Sequence, residues 1–273
     1  RPMRIVITND DGIDAQGIHV LALVARGLGG SVLVIAPEQD HSGQSQAITM
    51  RRPVWVRKRK DSGTWEQYTV SGTPADCVRL VASGYFGPPP DLLLSGVNHG
   101  PNMGEDVWAS GTVGAARMAA CRRIPAIAVS SLCQDWSWVS RRLLRYLPLV
   151  AEWATAFPGV LFNLNLPAYG GHLLRWTTLS QGWFTEHPLK TVGEEAEVPV
   201  SWIRQPYTSW EDSASDAATV FGGMASLTPL PVLPRPEDDQ RWLEVRLTPG
   251  TAVQPPNSNA LDLPPSVATP QSS

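Results

Sequence analysis

The sequence has few cysteines, few charged side chains and no long apolar run. Its three cysteines include no C-x-x-C pair, which argues against a disulfide framework and a structural zinc site. Charged residues make up 17% of the chain and the formal net charge is −3, which gives no support to a nucleic-acid groove. No apolar stretch approaches the roughly 18 residues of a membrane span, and no signal-peptide core precedes the first polar residues. We therefore expect a cytoplasmic globular protein that binds neither nucleic acid nor a membrane.

Several common catalytic motifs are missing as well. The chain has no G-x-S-x-G elbow, no P-loop and no G-x-G-x-x-G fingerprint. Their absence argues against serine-hydrolase triads, P-loop NTPases and dinucleotide-dependent enzymes. Any chemistry must come from other polar residues.

Short apolar runs alternate with helical patterns over the first part of the chain. Runs such as 4–8 and 32–36 are rich in β-branched residues and stop at polar residues or proline, as is typical of buried parallel strands. A hairpin is expected over 53–70, and Thr73 is expected to cap a helix that begins with Pro74. This alternation predicts a three-layer α/β/α fold with a mostly parallel, Rossmann-like sheet.

The pattern changes after residue 167, which marks the expected end of an α/β core at 3–167. Residues 168–248, rich in Trp, Pro and Gly, predict a C-terminal arm or hairpin subdomain that is used in oligomerisation and returns in part to the core. We expect a homodimer or homotetramer. Residues 249–273 hold six prolines and few large apolar side chains, a composition typical of a disordered tail.

Three polar loops follow predicted strands, and ligands in open α/β sheets bind beyond the carboxyl ends of the strands. The first loop, 8–12, carries the adjacent carboxylates Asp10 and Asp11, whose repulsion a cation would offset. The second, 36–45, offers hydroxyls, amides and a glycine. The third, 95–104, is rich in Gly and Asn and leads to Ser-Gly-Thr at a helix start, an arrangement that favours anions.

In combination and in this order, the loops resemble the SurE family of survival-protein nucleotidases, which are metal-dependent phosphatases of nucleoside monophosphates. The matching segments are I-V-I-T-N-D-D-G-I (5–13), A-P-E-Q-D-H-S-G (36–43), S-G-T-P-A-D-C-V (71–78), L-S-G-V-N-H-G-P-N-M-G-E-D-V (94–107), S-G-T-V (110–113), P-A-I-A-V-S (125–130), F-N-L-N-L-P (162–167) and S-L-T-P-L (226–230). The chain departs from the family's usual pattern at His41, Ala109 and the pair Met118-Ala119.

The resemblance implies a divalent-metal-dependent phosphomonoesterase that hydrolyses nucleoside monophosphates to nucleoside and phosphate, as a 5′- and/or 3′-nucleotidase. It implies one Mg²⁺ or Mn²⁺ ion per subunit and assigns catalysis to Asp10 and Asp11. The implied metal ligands are Asp10, Asp11, Ser42 and Asn98. The implied phosphate- and substrate-binding residues are Asn9, Gly43, Asn102, Ser110, Gly111 and Thr112.

The residues themselves agree with this chemistry. Two carboxylates, an amide oxygen and a hydroxyl form an all-oxygen set that suits Mg²⁺ or Mn²⁺ and suits zinc poorly. Asp10 is expected to act either as a general base or as the group that attacks phosphorus. Two other interpretations stay open: a haloacid-dehalogenase-like phosphatase, although that family has Asp-x-Asp where Asp10 and Asp11 are adjacent here, and a non-catalytic module that binds a nucleotide or a metal.

Overall fold

The computed structural model describes residues 2–59, 64–190, 200–210, 212–232 and 252–253. Five α-helices occur in these residues: α1 (Gln16–Arg26), α2 (Pro74–Ala82), α3 (Gly111–Ala120), α4 (Trp136–Ala156) and α5 (Asp216–Phe221). The strands are β1 (Arg4–Thr8), β2 (Ser31–Pro37), β3 (Val56–Lys58), β4 (Glu66–Val70), β5 (Leu92–His99), β6 (Ala126–Ser131), β7 (Val160–Leu166), β8 (Leu174–Trp176), β9 (Phe184–Lys190), β10 (Val200–Pro206), β11 (Ala225–Pro231) and β12 (Ala252–Val253).

Ten of these strands form one sheet in the order β12-β8-β11-β7-β6-β5-β1-β2-β4-β3. The central run from β7 to β4 is parallel throughout. Antiparallel pairs occur at β4–β3, β11–β7 and β12–β8. The predicted α/β fold with a mostly parallel sheet is therefore confirmed. The antiparallel strands expected over 53–70 are β3 and β4, while the turn between them at 60–63 lies outside the described residues.

Helices cover both faces of the sheet, which makes the three layers. One core cluster joins α1 and α4 to one face, and a second joins α2 and α3 to the other. The strands between them are buried on both sides, since every residue of β6 and β7 is buried. Such runs of apolar residues form strands because both pleat faces meet a helix layer.

Local capping sets where the helices begin. The Thr73 hydroxyl accepts a hydrogen bond from Asp76 N, and the Asp76 carboxylate accepts one from Thr73 N. With Pro74 in the first turn, this capping box starts α2 at the predicted residue. The Ser110 hydroxyl accepts from Val113 N and starts α3 in the same way.

The region after residue 167 contributes both to the main sheet and to a separate hairpin. Ala225–Pro231 forms β11, which inserts between β7 and β8 in the main sheet, so this part of 168–248 lies in the core. β9 and β10 form the separate two-stranded hairpin. From the predicted tail, Ala252–Val253 pairs with β8, while the expectations for 233–251 and 254–273 lie outside the described residues.

All three cysteines are free of disulfides, and burial raises the pKa of the Cys77 thiol. No helix in the described ranges has the length and apolar character needed to cross a membrane.

Candidate active site

The three polar loops meet at the carboxyl edge of the sheet because β5, β1 and β2 are adjacent and parallel. His41 N donates a hydrogen bond to the backbone oxygen of Asp10 at 2.8 Å, which ties the second loop to the first. His99 N lies 3.4 Å from Asp11 Oδ2, which brings the third loop to the same point. The expected convergence of the loops is thus present.

Asp10 is held against the start of α3. Its side chain is buried, and its Oδ1 accepts a hydrogen bond from the Thr112 hydroxyl. Burial raises the pKa of Asp10, while hydrogen bonds from the Thr112 side chain and backbone oppose that rise. A Cβ on Gly111 would lie 2.8 Å from the Asp10 Cβ, so only glycine lets the helix start approach this carboxylate.

Asp11 is half-buried beside Asp10. Burial and then the charge of Asp10 raise the pKa of Asp11 to about 6, although His99 N donates a hydrogen bond to it. The charge of Asp40 also raises the pKa of both residues. Sequence reasoning missed this third carboxylate, whose only signal was its position two residues before Ser42.

The remaining predicted metal ligands lie on the flanking loops. The Ser42 hydroxyl and backbone N–H both donate to Asp40 Oδ1, at 2.6 and 2.7 Å, which leaves the hydroxyl oxygen able to accept or coordinate. The Asn98 side-chain nitrogen donates to Gly100 O at 2.9 Å, which leaves its amide oxygen for a cation. Gly43 next to Ser42 is exposed, with a φ of 75°.

These groups fit a hard divalent cation. Crowded carboxylates whose pKa values rise through burial and mutual repulsion are stabilised in the charged form by a positive ion. In the part of the chain that the structure describes, no group of three or more His, Cys, Asp or Glu side chains is arranged as a metal site. The predicted ligand set has only two such side chains, since a hydroxyl and an amide supply its other oxygens.

Asn9 supports the first loop from inside the protein. It is fully buried, and its side-chain nitrogen donates to Gly12 O at 2.8 Å. Its side-chain oxygen is buried and has no hydrogen-bond partner among the described residues. The structure thus places Asn9 beneath the loop, where it shapes the turn that carries Asp10 and Asp11.

Asn102 is fixed by two strands of the sheet. Its backbone N–H donates to Asn165 Oδ1, and its backbone oxygen accepts from the side-chain nitrogens of Asn163 and Asn165, all at 2.8 to 2.9 Å. Its own side-chain nitrogen donates to Ser130 Oγ at 2.8 Å. Sequence reasoning missed the two β7 asparagines as positioning residues, although polar side chains inside the buried F-N-L-N-L run are an unusual feature.

The family profile described as "Survival protein SurE" matches residues 5–186, which is more than half of the chain. The chain belongs to the SurE family. The SurE protein from Aquifex aeolicus has a crystal structure that matches with a TM-score of 0.72 and 26% identity, covering 88% of this chain and 99% of that one.

Curated relatives agree with the SurE assignment. The 5′-nucleotidase SurE of Synechococcus sp. RCC307 is 42% identical, and the match spans 61% of this chain and 62% of the length of that protein. The 5′-nucleotidase SurE of Parasynechococcus marenigrum is 35% identical over 84% of this chain and 91% of its own. The 5′-nucleotidase SurE 1 of Thermus thermophilus is 38% identical over 84% and 91%.

The SurE chain also ties its C-terminal half to the third loop. The buried carboxylate of Asp216, at the start of α5, accepts from Gly104 N and Ser180 N, both at 2.9 Å. Asp106, in the 3₁₀ turn before Ser110, accepts from Trp183 Nε1 at 2.9 Å. The third loop is therefore held in place by residues more than 70 positions later in the chain.

Proposed function

We propose that this SurE family member is a divalent-metal-dependent phosphomonoesterase that hydrolyses nucleoside monophosphates to nucleoside and phosphate. The names of its relatives support the 5′-nucleotidase reaction class, and a 3′-nucleotidase activity is part of the proposal. The observation that carries it is the Asp10 carboxylate, fixed by Thr112 at the N-terminus of α3 and next to Asp11.

The metal ligands in this proposal are Asp10, Asp11, Ser42 and Asn98. Their all-oxygen chemistry fits one Mg²⁺ or Mn²⁺ ion per subunit. When bound, such an ion supplies polarisation of a phosphate oxygen. The chain itself supplies the carboxylate pair that would hold the ion. Burial of Asp10 excludes bulk water from its carboxylate.

The phosphate would contact Gly43, Asn102 and the start of α3. The positive end of the helix dipole at Ser110 and Gly111 favours an anion there. The Ser110 hydroxyl accepts from Val113 N and still has its own hydrogen to donate. The Thr112 hydroxyl donates to the Asp10 carboxylate, so we assign Thr112 the role of orienting that carboxylate.

Asp10 is the candidate for the chemical step. It would either take a proton from the attacking water or attack phosphorus itself. Both roles need a carboxylate held in one orientation, and the Thr112 hydrogen bond together with the Gly111 contact provides it.

A panel of phosphate esters tests the proposed reaction. We expect release of phosphate from 5′- or 3′-nucleoside monophosphates with Mg²⁺ or Mn²⁺, and loss of activity in EDTA that either metal restores. Binding of nucleotides without any turnover would instead support the non-catalytic module. Activity that persists unchanged in EDTA would contradict the metal assignment.

We further propose a homodimer or homotetramer built through the β9–β10 hairpin, within the proposed 168–248 arm. The hairpin exposes several large apolar side chains, and such patches usually mark interfaces. They are Leu189, Val200, Trp202 and Ile203, each more than 45% exposed in the single chain. Light scattering should show a dimer or larger species, and Trp202→Glu with Ile203→Glu should shift it toward the monomer. A monomeric native chain at micromolar concentration would contradict this.

The three unpaired cysteines support a reducing, cytoplasmic location as part of this proposal.

A further inference from the structure

A cavity of about 460 Å³ lies against α2, outside the candidate active site. Its walls come from segment 49–54, from α2 and from Arg122 just after α3. This volume falls within the range of pockets that hold small molecules, roughly 300–1,000 Å³. The cavity is therefore large enough for a ligand of its own.

Three arginines line this cavity: Arg52, Arg79 and Arg122. Asp76 is the one carboxylate among the lining residues, so the cavity carries an excess of positive charge within a chain whose formal net charge is −3. A local potential opposite in sign to that of the whole chain favours an anion at this position.

The single carboxylate is fully engaged by the protein. Asp76 accepts hydrogen bonds from Thr49 N and from the Thr49 hydroxyl, at 2.6 to 3.1 Å. It also accepts from Thr73 N at 3.1 Å and from Arg79 Nη1 at 2.9 Å. With its lone pairs occupied, Asp76 fixes Arg79 in place and leaves the other two guanidinium groups without an acidic partner in the cavity.

Guanidinium donors remain available in the cavity. Arg79 uses Nη1 for Asp76 and for Thr49 O, which leaves the N–H groups of its other nitrogens. Arg122 uses Nη1 for Met118 O at 3.1 Å. No hydrogen bond or ion pair to Arg52 is formed within the described ranges. Forked guanidinium groups bind phosphate oxygens in pairs, which makes phosphate the matching chemistry.

The cavity is separate from the candidate active site. Arg122 follows the C-terminal end of α3, whereas Gly111 and Asp10 meet at its N-terminal end. The nine residues of helical rise from Gly111 to Ala120 span roughly 14 Å, and Arg122 lies beyond that end. A phosphate at the start of α3 therefore does not reach Arg122.

We propose that the cavity lined by Arg52, Arg79 and Arg122 binds a small anion that carries two or more phosphate groups, at a second site distinct from the candidate active site. The three arginines contact its oxygens. The apolar lining residues Pro53, Val54 and Leu80 form the remaining wall.

Calorimetric titration of the full chain with pyrophosphate in EDTA tests this site directly, because the readout is binding and not turnover. We expect saturable binding to the native chain. Replacing both Arg52→Ala and Arg122→Ala should weaken it about tenfold or more, since each change removes charge-assisted hydrogen bonds. The matched control replaces Arg51→Ala and Arg145→Ala, which removes the same charge from exposed positions outside the cavity, and it should bind as the native chain does.

Three results would overturn the proposal. The first is that pyrophosphate shows no saturable binding to the native chain. The second is that the matched control weakens binding as much as the double variant does. The third is that the double variant still binds pyrophosphate whereas Ser110→Ala does not. Should the double variant unfold, Arg52→Glu alone changes an exposed side chain and should still weaken pyrophosphate more than Arg51→Glu does. Because binding is measured without metal or substrate, these outcomes are independent of whether the chain is a nucleotidase.

Discussion

The Asp10–Asp11 loop and the Asn102–Gly104 segment lie at the same edge of the sheet, but their polar groups are satisfied to different degrees. In the first, adjacent carboxylates repel each other, Asp40 adds further negative charge, and the pKa of Asp11 rises to about 6. In the second, Asn102 has its backbone N–H, its backbone oxygen and its side-chain nitrogen bonded to neighbouring strands.

This difference fits a binding role for the Asp10–Asp11 loop and a positioning role for the Asn102–Gly104 segment. Unbalanced charge costs free energy in the empty protein, and a cation that offsets it gains affinity from the relief. Saturated hydrogen bonds fix a loop in one conformation, so that its groups are already placed when a ligand arrives. Substitutions in the Asp10–Asp11 loop should therefore change metal dependence. Substitutions around the Asn102–Gly104 segment should change stability and catalytic rate.

The largest effect is expected from the carboxylate pair. Asp11→Asn should mainly weaken metal binding, so activity should return in part at high Mn²⁺. Asp10→Asn should be harder to rescue, because it also removes the candidate base or nucleophile. The loss that remains in excess metal should be about 10²–10⁴-fold, the usual contribution of general acid–base catalysis.

Titration of Mn²⁺ against both variants measures this contrast, with nucleoside monophosphate hydrolysis as the readout. Full recovery of Asp10→Asn in excess Mn²⁺ would show that Asp10 acts only as a ligand. The two loops would then differ only in the negative charge that the first loop offers to the metal.

Metal binding should also stabilise the fold through the first loop. A ligand at about 100 times its Kd adds about 2.7 kcal/mol to the free energy of unfolding. Thermal denaturation with and without Mn²⁺ should show this increase in the native chain and a much smaller one in Asp11→Asn. An equal increase in both proteins would place the ion elsewhere.

The first loop was predictable from sequence, whereas most of the contacts that support the Asn102–Gly104 segment were not. Adjacent carboxylates directly after a short apolar run mark a strand end, and that position alone predicts exposure to a ligand. Asp40 also follows a strand, yet its effect on Asp10 depends on β2 lying beside β1, which is a property of the strand order.

The supports of Asn102 depend on contacts over long sequence distances. Asn163 and Asn165 stand in the F-N-L-N-L-P segment, but which loop they bond depends on β7 lying beside β6. Asp216 lies 112 residues after Gly104, and it reaches that residue because β11 inserts beside β7. Local sequence patterns carry no information on which strands become neighbours.

A smaller effect is expected when the third loop loses its anchor at Asp216. Burial raises the pKa of this carboxyl, and hydrogen bonds from the backbone N–H groups of Gly104, Ser180 and Ala217 oppose that rise. Asp216→Asn turns one oxygen into a donor that faces an N–H group. We expect a loss of about 1–3 kcal/mol in the free energy of unfolding, together with a lower kcat and a little-changed KM.

Urea denaturation and steady-state kinetics measure the two consequences. The matched control is Glu152→Gln, which changes an exposed carboxylate on α4 and should leave both quantities near their native values. A stability loss without any change in kcat would mean that Gly104 does not position the phosphate-binding groups.

The smallest effect on catalysis is expected at Asp76, which belongs to neither loop and ties Thr49 and Arg79 to the start of α2. Burial raises the pKa of Asp76, but hydrogen bonds from Thr49, Thr73 and Arg79 outweigh it and hold the pKa below its ordinary value.

A carboxyl with a lowered pKa in the folded state stabilises the protein above the pKa of the unfolded chain. That contribution is lost as the pH falls through the folded value. Asp76→Asn should therefore cost about 1–3 kcal/mol at pH 7, and the difference from the native chain should shrink toward pH 3. Urea denaturation at a series of pH values measures it, and a difference that stays constant with pH would show that the charge of Asp76 contributes nothing beyond its hydrogen bonds.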